Sequence, residues 1–155
     1  MKIQQVLVQL ERVESEMASF YEWLSEVFES DGDASGLFFR MSLQEKSHAS
    51  LLKYGRKLVY RSPNEFDDVD FDEKAVASLL GSLAEFRAGF PAPSLAEALF
   101  FAMRIECHPA ENGHRDVLVS SNPEISQMIK SLAVADEEHH QTLRAFAHQR
   151  AAEFD

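Results

Sequence analysis

One pattern of carboxylate and imidazole side chains occurs twice in this chain. Each copy has a glutamate and a histidine one helical turn apart, and a further glutamate 31 residues before that pair. The two copies are Glu14…Glu45-x-x-His48 and Glu106…Glu137-x-x-His140. A single Glu-x-x-His match is weak evidence, since short motifs arise by chance. Two matches with the same upstream spacing predict that the six side chains meet at one site.

Glutamate and histidine at this spacing can act together as metal ligands. Residues i and i+3 lie on one face of a helix, about 4.5 Å apart along its axis. Buried carboxylates at one level repel each other and take up protons unless a positive charge compensates them. Two divalent cations would remove that repulsion, and oxygen and nitrogen ligands without thiolate suit Fe or Mn, or else Zn. The six predicted ligands are Glu14, Glu45, His48, Glu106, Glu137 and His140.

Apolar residues recur at helical spacing in two segments of the first half of the chain. We expect one helix from Ile3 to Phe28 and a second from Leu37 to about Tyr60. Residues 30–33 (SDGD) are the turn signal between them. The midpoint between Glu14 and Glu45, position 29.5, falls at this turn signal, so an antiparallel hairpin places them at about the same height.

The second half repeats this hairpin. A third long helix follows the capping box of Ser94 and Glu97 and carries apolar residues up to Val117. Residues 120–123 (SSNP) are the turn signal, and a fourth helix is expected from about Glu124 to Ala151. The second pair of matched glutamates is equidistant from that turn.

An acidic segment, residues 64–72, connects the hairpins, and Asp72 can cap a shorter helix from Glu73 to about Arg87. No segment alternates with a period of two, so no sheet is expected. We therefore predict an all-α fold, a four-helix bundle of two helical hairpins joined by a long crossover with a short extra helix. The length favours one domain, residues 1–155.

Some residues near the repeated pattern are expected outside the site. Glu111-x-x-His114 is a third match, but Leu80 stands 31 residues upstream, and we interpret this match as solvated surface or a helix end. His108 and His139 neighbour predicted ligands in sequence but point to other sides of their helices, so we expect them at the surface.

Three other residues bear on the site. Tyr21 lies two turns from Glu14 on the same stripe and is the best candidate for a residue that supports the ligands. Cys107 is expected as a small buried residue without a redox role. Pro109 removes the hydrogen bond to the Ile105 carbonyl and should kink the third helix beside the metals.

Composition limits the partners. The chain has 15 basic and 26 acidic residues and a net charge of −11, which argues against nucleic acid or an anionic membrane. A single cysteine permits no intrachain disulfide. No apolar run approaches the roughly 20 residues that span a bilayer, and the amino terminus has no signal-peptide core. We expect a cytoplasmic protein, and the doublets Phe38-Phe39 and Phe100-Phe101 favour a homodimer.

With these motifs in view, the chain resembles the rubrerythrin-like branch of the ferritin-like superfamily over nearly its whole length. The resemblance rests on residues 13–21 (VESEMASFY), 45–48 (EKSH), 104–106 (RIE) and 137–140 (EEHH). It implies a di-iron bundle with terminal glutamates, bridging glutamates and one histidine for each iron. The implied terminal ligands are Glu14 and Glu106, the bridging ligands are Glu45 and Glu137, and the histidines are His48 and His140.

The resemblance also implies an activity. Members of this branch reduce peroxide or oxidise Fe(II) with oxygen or peroxide, so we expect an oxidoreductase of one of these types. The four cysteines of a rubredoxin-like domain are absent, so electrons would come from a separate donor protein. Pro109 stands where the branch usually has another acidic ligand. Two alternatives stay open: an iron-binding or storage-related protein without efficient turnover, and a bundle that serves as an interaction module.

Overall fold

The structure, a computed structural model, describes residues 1–112 and 123–154. Within these ranges it has six α-helices, one 3-10 turn at Pro63–Glu65 and no strand, which confirms the all-α class. The helices are α1 Ile3–Val27, α2 Gly32–Arg61, α3 Glu73–Gly89, α4 Leu95–Glu106, α5 Pro109–Asn112 and α6 Pro123–Phe154. Val117, His114 and the predicted turn before Pro123 lie outside the described residues.

The predicted starts of α3 and α4 are confirmed by their caps. The Asp72 carboxylate accepts a hydrogen bond from the Ala75 backbone N–H at 3.1 Å. Ser94 and Glu97 bond each other's backbone N–H groups, both at 3.1 Å. Such caps satisfy backbone donors that have no partner inside the helix.

The second helix begins earlier than the apolar pattern predicts. It starts at Gly32 rather than Leu37, because Asp31 accepts a hydrogen bond from the Ala34 N–H at 3.2 Å and caps it there. Residues 28–31 therefore connect α1 and α2.

The third predicted helix is not continuous, so the expectation of one long helix is wrong at this point. α4 ends at Glu106, and Pro109 begins the separate helix α5. The Ile105 carbonyl, which Pro109 cannot bond, accepts the His108 N–H at 2.9 Å. This break is the effect that the missing proline N–H predicts.

The helices α1 and α2 form an antiparallel hairpin. Near the turn, the Ser35 hydroxyl donates to the Ser25 carbonyl at 2.8 Å, and far from it Arg56 pairs with Glu11 at 2.9 Å. α6 packs against α2 and α4, and α3 packs against α1. Arg150, near the end of α6, reaches 2.7 Å from Asp31 in the α1–α2 turn.

Two apolar clusters occupy opposite ends of the hairpin. The first lies toward the turn and includes Met17, Leu24, Leu37, Met41, Leu83, Phe101 and Leu143. The second lies toward the chain start and includes Leu7, Leu10, Leu52, Val59, Ile125 and Leu132. Since the second cluster holds the start of α6 and the Arg150 pair holds its end, α6 runs parallel to α1. A layer of buried polar side chains separates the two clusters.

No helix within the described ranges combines the length and the apolar character needed to cross a bilayer.

Candidate metal centre

The first half of the site comes from the hairpin. Glu14, Glu45 and His48 are all buried, because each lies on a helix face between large apolar residues of the two clusters. The His48 Nδ1 lies 3.0 Å from Glu45 Oε2 and 3.6 Å from Glu14 Oε2. One ligand atom from each of the three residues fits within 4.8 Å of the others, which is the size of a metal-binding group.

The second half of the site comes from α4 and α6, which bring Glu106 and His139 to the Glu45 carboxylate. The His139 Nδ1 lies 3.1 Å from Glu45 Oε1 and 3.7 Å from Glu106 Oε2. Glu45, Glu106 and His139 form a second group with ligand atoms within 4.8 Å of one another. All three side chains are at most 2% exposed. Glu45 therefore belongs to both groups and directs one oxygen to each histidine.

The structure does not bring Glu137 and His140 into this cluster, so their predicted orientation toward the core is wrong. Glu137 is exposed, and its carboxylate accepts a hydrogen bond from Gln141 at 3.2 Å. His140 is half-buried, and its Nε2 lies 2.6 Å from the Glu106 carbonyl. Instead Asp136 and His139 are buried, each 2% exposed, which corrects the expectation of a surface position for His139.

The inward face of α6 is shifted by one residue from the predicted one, which is a rotation of about 100° around the helix axis. Two neighbouring stripes on this helix each carry an acidic residue followed three residues later by a histidine. The buried stripe is Leu132, Asp136, His139 and Leu143. The sequence predicts instead the stripe Ile129, Ala133, Glu137, His140, Leu143 (or Arg144) and Ala147. Leu132 and Leu143, on either side of the polar pair, are fully buried and pack this stripe against the two apolar clusters. The sequence permits either stripe, so only this packing distinguishes them.

Glu111 is a further buried carboxylate, although the prediction for it was solvated surface or a helix end. It is 2% exposed. In one continuous helix its side chain would point about 140° away from that of Glu106 around the helix axis. The break at Cys107 and His108 starts a new helix and directs Glu111 inward. The proline was the signal for this break, but not for the direction that follows it.

The cluster is rich in negative charge. Burial raises the pKa of Glu14 well above its usual value, and the charge of Glu45 raises it further. Burial likewise raises the pKa of Glu106. Burial and the nearby charges of Glu14 and Glu45 raise the pKa of Glu111 well above the usual range. Such shifts occur where carboxylates share a site that lacks sufficient positive charge.

The two histidines respond in the opposite direction. Burial lowers the pKa of His48, but its contacts with Glu14 and Glu45 prevail and raise it to about 10. Burial also lowers the pKa of His139, and its contacts with Glu106 and Glu45 raise it to about 11. Without metal, protons on the imidazoles thus supply positive charge inside the cluster.

Several buried polar atoms of the cluster have no hydrogen bond among the described residues. They are Glu14 Oε2, Glu45 Oε1, Glu111 Oε1 and both ring nitrogens of His139. The contact between His139 Nδ1 and Glu45 Oε1 is short enough for a hydrogen bond but is not aligned for one. Because buried polar atoms are normally satisfied, this set of atoms fits a cation that would bind them together. The oxygen and nitrogen donors suit Fe, Mn or Zn.

Tyr21 supports one side of the cluster, as the sequence predicted. Its hydroxyl donates a short hydrogen bond to Glu106 Oε1, and its ring stacks on Phe38 at 6.2 Å between centroids. Burial and the charge of Glu106 raise the pKa of Tyr21 well above its usual value, so the hydroxyl keeps its proton. Tyr21 thereby holds Oε1 of Glu106 while Oε2 faces His139.

Two neighbours of Glu106 lie apart from the cluster. Cys107 is exposed, so its predicted burial is wrong, because it caps the end of α4 where the chain turns outward. His108 is half-buried, and its Nδ1 accepts the Ala110 backbone N–H at 3.1 Å at the start of α5. Both residues thus belong to the break between α4 and α5.

Comparison of the chain with protein-family models, with curated proteins and with solved structures finds no match.

Proposed function

We propose that this chain is a di-iron carboxylate protein in which α1, α2, α4 and α6 form a ferritin-like four-helix bundle around two metal ions. The proposal rests on Glu45, because its two carboxylate oxygens face two different ligand groups. Its Oε2 faces His48 at 3.0 Å and its Oε1 faces His139 at 3.1 Å. A carboxylate with one oxygen toward each group is suited to bridge two cations.

The proposed ligands follow from this division. Glu14 and His48 complete one ion's set, and Glu106 and His139 complete the other. Asp136 takes the place first assigned to Glu137, because it is buried one turn before His139. Glu111 is an additional carboxylate within the electrostatic reach of both groups. The carboxylates and the histidines, once deprotonated, would offset the charge of two divalent cations.

The proposed activity is an oxidoreductase reaction that reduces peroxide or oxidises Fe(II) with oxygen or peroxide. A bound iron pair supplies the electrons and the Lewis acidity for cleavage of an O–O bond. The chain's residues hold the ions, exclude bulk water by burial, and keep a proton on the Tyr21 hydroxyl beside Glu106. Re-reduction would require a separate electron-donor protein.

The burial of the site favours a second candidate, an iron-binding or storage-related protein without efficient turnover. Glu14, Glu45, Glu106 and His139 are at most 3% exposed, and His48 is 8% exposed. Ligands this enclosed retain metal well but restrict the access of an oxidant. Hydrogen peroxide is smaller than an organic peroxide and reaches an enclosed site more easily. Organic peroxides should therefore react more slowly.

Metal content is the first test. Protein purified without chelator, and protein loaded anaerobically with Fe(II), should carry about two ions per chain by elemental analysis. Glu45→Ala should lose both ions, since it removes the shared ligand, and the exposed Glu137→Ala is the matched control that should retain them. A wild-type protein that holds no metal after Fe(II) loading would contradict the proposal and leave the interaction-module alternative.

Turnover separates the two metal-binding candidates. The absorbance of oxidised iron should rise when peroxide is added to the Fe(II)-loaded protein, and it should fall again with an added electron donor. Repeated cycles support the oxidoreductase, whereas one oxidation followed by stable Fe(III) supports the storage-related protein.

A homodimer and a cytoplasmic location remain predictions. Phe39 and Phe100 are both about half exposed or more, at 49% and 64%, which supports self-association through the aromatic doublets. Sedimentation equilibrium of wild type against Phe39→Ser/Phe100→Ser would test the dimer.

A further inference from the structure

A groove of about 860 Å³ lies along the outside of the hairpin, away from the polar layer. Met1 and the first two turns of α1 form one wall, and the last turns of α2 form the other. Its volume falls within the range of small-molecule sites in proteins. No residue of the proposed metal centre lines it.

The groove gathers positive charge in an acidic protein. Its lining includes Lys53, Arg56, Lys57 and Arg61 against one carboxylate, Glu73, although the whole chain has a net charge of −11. Arg56 pairs with Glu11, at 2.9 Å. The remaining three cations form no ion pair within the part of the chain that the structure describes.

These three cations share one face of α2. Lys53, Lys57 and Arg61 follow each other at steps of four residues, the spacing at which like charges on a helix repel. A position in the last turn, where cations interact well with the helix dipole, accounts for Arg61. It does not account for Lys53, which lies two turns further in. An anion bound between the side chains would relieve the repulsion.

The rest of the lining is suited to an apolar or aromatic body. Val8 is 46% exposed and Tyr60 is 78% exposed, so both present hydrophobic surface to the groove. The amides of Gln4, Gln5 and Gln9 supply neutral hydrogen-bonding groups beside them. Apolar side chains beside a cluster of charged groups are suited to an amphipathic ligand.

We propose that this groove binds a small amphipathic anion, a carboxylate or phosphate attached to an apolar or aromatic body. The anionic group would lie between Lys53, Lys57 and Arg61, and the body would lie against Val8 and Tyr60. This site is independent of the metal centre, and the proposal stands whether or not the chain binds iron.

The test uses 8-anilinonaphthalene-1-sulfonate, an aromatic anion whose fluorescence rises on binding, with the full chain in chelator and at low salt. Lys53→Glu/Lys57→Glu should weaken binding by about tenfold or more, since it replaces charge-assisted contacts with repulsion. Lys130→Glu/Arg144→Glu changes the net charge equally at exposed positions outside the groove and should leave binding unchanged. Thermal melts of both variants verify that each is folded.

Two displacing anions distinguish the ligand classes. Displacement of the probe by laurate supports an aliphatic carboxylate as the ligand, and displacement by flavin mononucleotide supports an aromatic phosphate. Equal probe binding in the groove variant and the control variant would overturn the proposal, as would displacement by neither anion.

Discussion

The imidazole rings of His48 and His139 lie nearly parallel, with their centroids 5.3 Å apart and an angle of 27° between their planes. The two residues come from α2 and α6, and the Nδ1 of each faces a different oxygen of Glu45. Protonated imidazoles at this separation repel each other, and the surrounding carboxylates offset that repulsion. The metal-free cluster thus holds protons where the proposed ions would bind, so metal binding must displace these protons.

Substitution of His139 and of His140, one at a time, tests which face of α6 points toward the metal centre. His139→Gln should reduce the bound metal from about two ions to about one, since loss of a ligand typically weakens a site by tenfold or more. His140→Gln is the matched variant, and it should keep both ions, because that ring contacts the Glu106 carbonyl and belongs to neither ligand group. Elemental analysis after desalting measures the difference. Retention in His139→Gln with loss in His140→Gln would restore the originally predicted register.

Removal of the Tyr21 hydroxyl should weaken the half of the centre that contains Glu106. Tyr21→Phe preserves the ring stacked on Phe38 but takes away the hydrogen bond to Glu106 Oε1. The pKa of Glu106, which burial already raises, should rise further, and affinity for the second ion should fall by about tenfold to a hundredfold. Competition with a fluorescent chelator measures this affinity.

The control for this variant is Tyr54→Phe, which removes the hydroxyl of an exposed tyrosine. Equal affinities in the two variants would show that Tyr21 contributes packing alone.

Glu111→Gln should have opposite effects on the two forms of the protein. A buried carboxyl with a raised pKa destabilises the fold as the pH rises above the unfolded-state value near 4.5. Its replacement should therefore raise the melting temperature of the metal-free protein at pH 7. The same change removes a carboxylate from the centre, so it should lower metal affinity and reduce the stabilisation that metal provides. Thermal melts with chelator measure the effect on the metal-free protein, and melts with added Mn(II) measure the stabilisation by metal. A lower melting temperature of Glu111→Gln in chelator would contradict the expected stabilisation of the metal-free protein.

Metal affinity should rise with pH across the neutral range. The pKa values of His48 and His139 are about 10 and about 11 in the metal-free protein, so both rings are protonated at pH 7. A metal ligand must be deprotonated, and binding therefore releases these protons, more easily as the pH approaches 9. Titration calorimetry in buffers of different ionisation enthalpy should show a net release of about two protons or more per chain at pH 7. A heat of binding that is independent of the buffer would contradict this exchange.

The local features of this protein are determined by its sequence to a large extent. Period and composition predict the extent of α1, and the side chains of Asp72 and Ser94 start α3 and α4 where a cap was expected. Glu14 and Glu45 lie at the same level because they are equally distant from the turn at residues 28–31. These features depend on contacts between residues close in sequence, and for that reason a linear pattern is sufficient to identify them.

The tertiary structure alone decided which face of α6 points inward and where Glu111 lies. A helix rotates by about 100° per residue, so the adjacent pairs Asp136/His139 and Glu137/His140 differ by one such rotation, and the sequence permits either pair to point inward. Packing of Leu132 against the second cluster and of Leu143 against the first selects Asp136 and His139. Glu111 turns inward because Pro109 ends α4, and the direction of the new helix depends on contacts with α1 and α3, which are distant in sequence.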